Sequence, residues 1–360
     1  MFLFLISAID ASSPVSAATR SDAQIGESPI GSNFDIRSQL ESVAVPPSAA
    51  PDVVGAFRFI CQAAQLLYDD PIVYPGQPGK SHLHQFYGNT GANAYSTYRS
   101  LRTSGDSTCM GILNRSGYWM PAMLDGKGNV VRPGGVSIYY KRRPVSDPIV
   151  SDPTNARFEG HAVELPNGLK FIFGYDMITG KAPTGSFDYL PVKDGQPIGS
   201  PYPTLAKFAA SGLGKPGTQI WARIHAPQCW NGKDLDSPNH RDHVSYKHRV
   251  MATGVSKCPD THPYVIPEFQ LTAIYDIAEG DDLSLWRLAS DDHVQGSENG
   301  STFHADFFMA WDPTVKKIWN DNCINKMLNC SDGVLGNGQI MKRPPGYGLV
   351  AKPRLVPVPR

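Results

Sequence analysis

The sequence has no excess of either charge. Lys and Arg together number 33, and so do Asp and Glu, so the formal net charge of the 360 residues is zero. Broad binding to a nucleic-acid backbone requires a basic surface, which this composition does not supply. There is also no long run of like charge of the kind that marks a polar tail or a membrane-surface patch. We therefore expect no nucleic-acid partner.

The short motifs of several large enzyme classes are missing as well. The sequence contains no Gly-x-Ser-x-Gly, no His-Glu-x-x-His, no P-loop, and no Gly-x-Gly-x-x-Gly placed between a strand and a helix. Beyond the first residues, no window of 18 residues is both apolar and uncharged, so no membrane span is predicted. Any chemistry must therefore be inferred from less familiar patterns.

The first residues resemble an export signal. Residues 2–8 form a short apolar run, and the small residues at 15–17 are typical of a signal-peptidase site. No basic segment precedes the run and Asp10 interrupts it, so a leader without regular structure is the alternative. We expect a signal peptide over residues 1–18, and hence a secreted or periplasmic protein.

Six cysteines support this location, because an even number in an exported chain is typical of disulfides. Six cysteines allow fifteen connectivities, and we predict pairing between neighbours in the sequence. A zinc site is the weaker alternative, since no Cys-x-x-Cys pair is present. The predicted disulfides are Cys61–Cys109, Cys229–Cys258 and Cys323–Cys330.

Glycine and proline are frequent and divide the chain into short segments. Together they make up about 18% of the residues, against roughly 12% in average proteins. The segments between them are rich in aromatic and β-branched residues, which favours short strands and long loops. Helical patterns occur only at residues 204–213 and 314–330. We therefore predict a mostly-β fold, a single large sandwich or jelly-roll-like domain with few short helices.

Composition also predicts the domain limits. Residues 19–52 are rich in Ser, Ala and Pro, which is typical of a flexible linker. The folded domain is predicted over residues 53–335. Residues 336–360 are rich in proline and are predicted to form an extended tail.

The histidines are unevenly distributed, and two pairs stand out. His82 and His84 lie two residues apart in KSHLHQFYGN, and His304 stands two residues before Asp306 in GSTFHADFF. Side chains two residues apart on a strand point to the same face. A third segment, LDSPNHRDHVSYKH, offers Asp236, His240 and His243. Segments that are distant in sequence could thus form an acid/base pair or a metal site.

A purely structural role is the alternative for each histidine, because an isolated imidazole on a strand is usually hydrogen-bonded to a backbone carbonyl. We assign a functional role to the paired histidines and their loop partners, and the structural role to the five scattered ones. The histidines given the structural role are His161, His225, His248, His262 and His293.

A second pattern combines aromatic and basic side chains. In NRSGYWMPAML, Arg115 precedes Tyr118 and Trp119, which project to opposite faces of a strand. An aromatic ring beside a guanidinium suits a sugar-binding groove, where the ring stacks on C–H surfaces and the cation binds hydroxyls or carboxylates. Packing in the core is the alternative for these aromatic residues.

Five tracts of the chain, taken together, resemble the DUF1996 family. They are HLHQFYGN, TCMGILNRSGYWMPAML, CWNGKDLDSPNHRDHVSY, CPDTHPYVIPEFQL and GSTFHADFFMAWD. The resemblance extends over residues 57–330. It implies a secreted protein of bacteria or fungi, some of whose relatives are joined to carbohydrate-binding modules. It therefore implies a polysaccharide context and no particular activity.

We predict from these patterns an exported carbohydrate-active protein, a polysaccharide hydrolase or lyase with a histidine-rich groove. The catalytic candidates are His82, His84, His240, His243, His304 and Asp306. In this scheme the Asp306 carboxylate orients the His304 imidazole. The substrate-binding candidates are Asn89, Arg115, Tyr118, Trp119 and Asp236.

The reaction type stays open at this point. A lyase needs a base and a partner for a uronate carboxylate, and His, Tyr and Arg meet that need. A glycosidase needs two carboxylates, for which Asp236, Asp242 and Asp306 are candidates. The alternative is a non-catalytic protein that binds cell-wall polysaccharide or a metal. A divalent metal would be held by His82, His84 and His304.

Overall fold

The computed structural model describes residues 26–348 and 352–360. The predicted signal peptide, residues 1–18, lies outside the described residues. The prediction of a mostly-β fold with few short helices is confirmed, since strands dominate and the longest helix, Pro313–Trp319, has seven residues. No helix in the described ranges is long and apolar enough to cross a membrane.

The largest sheet has seven strands, and we call it the seven-stranded sheet. Its strands alternate between buried and half-buried residues, as in Gly135–Arg142, where Val136, Ile138 and Tyr140 are buried. Neighbouring strands are antiparallel, except that Gly55–Cys61 and Asn329–Cys330 are parallel. In spatial order the strands are Gln196–Pro197, Phe187–Lys193, Gln219–His225, Glu268–Asp276, Gly135–Arg142, Gly55–Cys61 and Asn329–Cys330.

A second sheet, the five-stranded sheet, is antiparallel throughout. Its central strands are buried on both faces, so they lack the usual alternation of buried and exposed residues, and the polar residues that they contain, such as His84 and Asp306, are buried too. In spatial order the strands are Lys170–Gly174, His304–Phe308, Gly117–Pro121, His84–Gly88 and Ala63–Leu67.

The remaining elements are short. Two four-stranded sheets consist of Val244–Ser245, Cys229–Trp230, Tyr264–Val265 and His161–Ala162, and of Arg287–Leu288, Met123–Leu124, Asn129–Val131 and Leu355–Pro357. Two strand pairs are Leu40–Ser42 with Gln339–Met341 and His248–Arg249 with Ser256–Lys257. The helices and helical turns are Ile36–Gln39, Tyr98–Thr103, Pro148–Ser151, Leu205–Ala210, Asp291–His293, Pro313–Trp319 and Asn320–Ile324.

The main core lies between the two large sheets. Phe307 of the five-stranded sheet contacts Phe269 of the seven-stranded sheet, with ring centroids 4.8 Å apart. Tyr118 and Tyr140, also one from each sheet, share a hydrogen bond of 2.8 Å between their hydroxyls. These contacts pack one face of the five-stranded sheet against the seven-stranded sheet.

The other face of the five-stranded sheet has a smaller apolar cluster of its own. Phe86 stacks on Trp119 at 5.2 Å, and Ile172 and Phe308 belong to the same cluster. In the strand register, Asp306 stands between Ile172 and Trp119. The period of two along a strand therefore brings His84, His304 and Asp306 to this second face.

The three predicted disulfides are confirmed: Cys61–Cys109, Cys229–Cys258 and Cys323–Cys330. Cys61 and Cys109 also pair as a β-bridge, so this disulfide connects the seven-stranded sheet to the loop after Tyr98–Thr103. The helix predicted at 314–330 is observed only as Pro313–Trp319 with the π-helical turn Asn320–Ile324 after it, and the Cys323–Cys330 disulfide closes a short loop over the rest of that range.

The segments predicted as a flexible linker and an extended tail contain short paired strands where they are described. Leu40–Ser42 pairs with Gln339–Met341, and Leu355–Pro357 pairs with Asn129–Val131. Phe34, Ile36 and Leu40 pack against the main core. Composition missed this ordering because a few apolar residues in a Ser- and Pro-rich segment are enough to anchor it.

We expect replacement of Phe307 by Ala to destabilise the fold strongly. Phe307 is fully buried and its ring contacts Tyr118, Phe171 and Phe269. Removing a buried phenyl ring costs about 3–5 kcal/mol. Urea unfolding with the disulfides intact would measure the decrease in the free energy of unfolding. Met251→Ala is the control, since Met251 is 88% exposed; a change of similar size in both variants would contradict the core packing described above.

Candidate functional site

Three histidines converge where two inner strands of the five-stranded sheet begin, and we call them the histidine cluster: His82, His84 and His304. His84 and His304 are the first residues of their strands, and His82 lies in the loop before His84. The ring centroids are 4.2 Å apart for His82 and His84, and 5.0 Å apart for His82 and His304. One nitrogen from each ring lies within 4.8 Å of the other two, so a single ion can reach all three.

Backbone carbonyls fix the orientation of two of these rings. The Nδ1 of His84 lies 3.0 Å from the Asp69 carbonyl oxygen, and the Nδ1 of His304 lies 2.9 Å from the Thr302 carbonyl oxygen. A carbonyl only accepts, so each Nδ1 carries the proton and each Nε2 keeps its lone pair. This is how metal-binding histidines are usually held. The buried Nε2 atoms of His82 and His84 have no hydrogen-bond partner among the described residues.

Burial keeps the cluster neutral. Burial lowers the pKa of His84 to about 4, although the Asp69 carbonyl opposes the shift. Burial and the neighbouring His84 lower the pKa of His304 to about 3. The pKa of His82 is lowered well below its ordinary value by burial and by the other histidines. Uncharged imidazoles are the form that binds metals.

The histidine cluster lies at a cavity of about 470 Å³, which we call the site cavity. His82, His304 and Asp306 line it, together with His240 from the loop 237–243. Exposed residues such as Lys80 and Ile178 also line it, so the cavity reaches the surface. The site cavity is large enough to admit a small ligand or part of a polymer.

Two buried carboxyl groups line the same cavity. Asp306 is fully buried, and neither of its carboxyl oxygens has a hydrogen-bond partner among the described residues. Asp70 accepts hydrogen bonds from the backbone N–H groups of Ile72 and Val73. Burial raises the pKa of both groups, and the proximity of Asp70 raises the pKa of Asp306 further.

Arg241 is a half-buried cation that lines the site cavity, and its guanidinium already has partners. It donates to the carbonyl oxygens of Gly174 and Tyr175 at 3.3 and 2.9 Å, and lies 4.0 Å from an Asp176 oxygen. Burial lowers its pKa, while Asp176 and Asp306 raise it. Arg241 therefore fastens the loop 237–243 to the end of the strand Lys170–Gly174.

The imidazole paired with a carboxylate is His240, and the prediction for His304 and Asp306 is wrong in this respect. His304 is oriented by a backbone carbonyl, and Asp306 makes no hydrogen bond to it. Instead the Nδ1 of His240 lies 2.8 Å from an Asp236 oxygen, and Lys170 lies 3.0 Å from the other. Burial would raise the pKa of Asp236, but its bonds to His240 and Lys170 hold it below the ordinary value. Asp236 is thus a partner of His240 at the edge of the site cavity.

Four predicted substrate-binding residues lie in the interior instead. Tyr118 is fully buried in the main core, Trp119 is buried against Phe86, and Arg115 donates to Asn33 and to the Arg102 carbonyl oxygen. Asn89 is buried, and its side chain bonds the backbone of the segment 91–104. The two aromatic residues were misassigned because a strand buried on both faces offers no exposed side for an aromatic platform.

The predicted catalytic His243 also has a structural role. It is fully buried, with Nδ1 2.9 Å from the Ser237 hydroxyl and Nε2 2.9 Å from the Lys170 carbonyl oxygen. Both ring nitrogens are therefore occupied, and His243 holds the loop that carries His240. Asp242, a candidate carboxylate, is exposed and does not line the site cavity.

Sequence reasoning missed several residues of the cavity. His293, given a structural role from the sequence, lines the site cavity with its ring centroid 5.7 Å from that of His82. Asp70, Tyr74 and Arg241 also line it. Asp70 is followed by a proline-rich loop and has no distinctive local pattern, whereas His293 lies in the polar segment SDDHV, which is typical of a solvated turn.

The arrangement is chemically suited to one transition-metal ion. Three neutral imidazoles with an open side match the protein ligands of catalytic zinc sites, and imidazole also suits copper, iron and nickel. The carboxyl groups and His240 stand on the walls of the same cavity, where a ligand of the metal would meet them. The fold and site thus define a disulfide-bonded, mostly-β protein with a histidine-lined cavity.

The chain belongs to the DUF1996 family. The family model, described as a domain of unknown function, matches residues 70–311. This range contains the histidine cluster, Asp70, Arg241 and Asp306. Comparison with curated proteins and with solved structures found no match.

The metal-free protein should lose stability as the pH falls below about 6.5. Because the pKa of His84 is about 4 and that of His304 about 3 in the folded protein, the unfolded chain takes up these protons first. The contribution of the two neutral histidines to the free energy of unfolding is fully present above pH 6.5. It is lost as the pH falls through 4 towards 3. One pKa unit corresponds to about 1.4 kcal/mol, so each of the two histidines contributes on the order of a few kcal/mol.

Urea unfolding at several pH values, in the presence of a chelator, measures this effect. His84→Gln and His304→Gln should each flatten the pH dependence in this window. His248→Gln should leave it unchanged, because His248 is exposed on a short strand. An equally steep dependence in all three variants would show that the buried histidines are not its source.

Proposed function

We propose that the protein is an exported, metal-dependent carbohydrate-active protein. Its metal is held by the histidine cluster, and its substrate enters the site cavity. The observation that carries the proposal is the convergence of three neutral histidines, whose ring nitrogens lie within 4.8 Å of one another beside a cavity that reaches the surface.

The orientation of the rings supports metal binding over a simple hydrogen-bond network. His84 and His304 each donate their Nδ1 proton to a carbonyl, and the buried Nε2 of His84 then has no hydrogen-bond partner among the described residues. An unpaired buried acceptor costs about 1–3 kcal/mol. A bound cation removes that cost and accounts for the arrangement. Such a metal supplies an activated water or polarises a substrate oxygen.

The residues that line the site cavity are suited to a carbohydrate ligand. Tyr74 offers an aromatic surface, and Ile172 and Met177 add apolar contacts. Polar groups such as Asn239 and His240 stand beside them. A mixture of aromatic surface and convergent polar groups is suited to a sugar, which has both C–H faces and hydroxyls.

Export is supported by the three disulfides, because such bonds persist in oxidising compartments. The partner we propose is a cell-wall or other extracellular polysaccharide.

Of the two reaction types, hydrolysis is better supported than elimination. The lyase scheme relied on Arg115 and Tyr118 to bind a uronate, and both are buried away from the site cavity. Hydrolysis needs an activated water and a proton donor. The metal would supply the first, and Asp70, Asp306 and His240 are candidates for the second.

The purified protein should bind one divalent transition-metal ion per chain after dialysis against zinc, copper or nickel salts. His84→Ala and His304→Ala should each lower the metal affinity by at least tenfold, because each removes one of three ligands. Elemental analysis and competition with a chromogenic chelator would measure this. His248→Ala is the matched control, an exposed histidine outside the cavity. Equal metal content in all variants would refute the metal centre.

A panel of polysaccharides tests the activity. We expect the metal-loaded protein to release reducing ends without forming new double bonds, and we expect His84→Ala to abolish this release. Absorbance from new double bonds would establish a lyase instead. Retained binding without turnover would identify a non-catalytic wall-binding protein, and retained metal without any glycan binding would identify a metal-binding protein.

A further inference from the structure

A second cavity, of about 440 Å³, lies on the outer face of the seven-stranded sheet, and we call it the outer cavity. This face is turned away from the main core, and the half-buried residues of each strand alternate onto it. His225 and Gln270 are cross-strand partners there, and both line the outer cavity. The exposed segment 183–185 lines it too, so the outer cavity is open to solvent.

Three uncharged side chains of the outer cavity have unused hydrogen-bonding atoms. Unlike His243, His225 has no hydrogen bond to either ring nitrogen within the described ranges. Gln228 uses only its side-chain oxygen, and Gln270 uses only its side-chain nitrogen, which donates to Thr272. The three side chains are half-buried, and none of the unused atoms is sealed from solvent. A ligand in the outer cavity can therefore reach them.

The charged side chains of the outer cavity are already paired. Lys141 lies 3.3 Å from Glu268, and Lys247 lies 2.8 Å from Glu159. Burial lowers the pKa of His225, so its ring is neutral near pH 7 and has one donor and one acceptor nitrogen. The outer cavity thus offers neutral donors and acceptors to a ligand and no unpaired charge.

We propose that the outer cavity is a second glycan-binding site, which binds uncharged sugar residues through His225, Gln228 and Gln270. A sugar hydroxyl both donates and accepts, so it can pair with an imidazole nitrogen and with either end of an amide. Binding of a protein usually depends on large apolar anchors, which a cavity lined mostly by polar residues does not accommodate. The inference uses no property of the metal centre and goes beyond the proposed function.

The outer cavity and the site cavity are close along the chain. Met177 and Ile178 line the site cavity, and residues 183–186 line the outer cavity. The chain from residue 178 to residue 183 spans at most about 18 Å. One polysaccharide can therefore occupy both cavities, and the second contact raises the overall affinity without any new site.

Calorimetric titration of the metal-free full chain, kept in a chelator, tests the inference. The probes are hexasaccharides of glucose, of mannose and of N-acetylglucosamine. We expect at least one of them to bind, and the metal-loaded protein to bind it as well. His225→Ala and Gln270→Ala should each weaken this binding by about tenfold, because each removes hydrogen bonds to the sugar.

Gln219→Ala is the matched control, a half-buried glutamine on the same face of the sheet and outside the outer cavity. It should bind like the wild type. The inference is overturned if no hexasaccharide binds the metal-free protein, if His225→Ala and Gln270→Ala both bind normally, or if Gln219→Ala weakens binding equally. Tighter binding of a galacturonate hexamer would also overturn it. Should either variant not fold, Gln228→Ala replaces it, since Gln228 lies in a loop.

These outcomes are separate from those of the metal centre. If the histidine cluster binds metal but no hexasaccharide binds the metal-free chain, the metal centre stands and the inference fails. If a hexasaccharide binds through His225 and Gln270 in a protein that takes up no metal, the inference stands and the metal centre fails.

Discussion

The site depends on one constraint, which is that the five-stranded sheet is covered on both faces. One face carries Phe307 and Tyr118 into the main core, and the alternation of side chains then sends His304 and Asp306 to the opposite face. On that face Phe86 and Trp119 form an apolar cluster that excludes water on one side. The same alternation thus builds the core and delivers buried titratable groups to the cavity, so a change of strand register would destroy both.

This arrangement costs stability, and the cost points to a ligand. Burial holds the imidazoles of His84 and His304 neutral, and in the described part of the chain neither oxygen of Asp306 has a hydrogen-bond partner. A sequence selected only for stability would place apolar residues at these positions. Function is expected where several titratable side chains are buried without the usual hydrogen-bond or ion-pair partners beside one cavity. Elsewhere in the protein, buried charges such as Arg102 and Asp312 are paired with each other, at 2.9 Å.

Much of the fold and part of the candidate site could be predicted from the sequence. The same physical reasons explain which predictions were wrong. Spacing of two predicted that His82 and His84 share a side of a strand; the rings are adjacent, but His82 lies in the loop before the strand, so the strand period is not what brings them together. Neighbour pairing of the cysteines was correct as well. Local patterns could not show that the strand bearing Tyr118 is covered on both faces, nor that the turn bearing His293 folds towards His82. Both features depend on contacts between segments far apart in sequence, and the hydrophobic periodicity of a single segment does not encode such contacts.

The loop that carries His82 is held in place before any ligand arrives, and Asp69 explains how. Its side chain accepts hydrogen bonds from the N–H groups of Gly79 and Ala94, and its carbonyl oxygen accepts one from His84. One residue therefore ties the loop, the following segment and a cluster imidazole together. On the opposite wall, Arg241 ties the loop of His240 to the strand end at Gly174. Because both walls are fixed by such bonds, little ordering remains to oppose binding, which is the condition for a preorganised site.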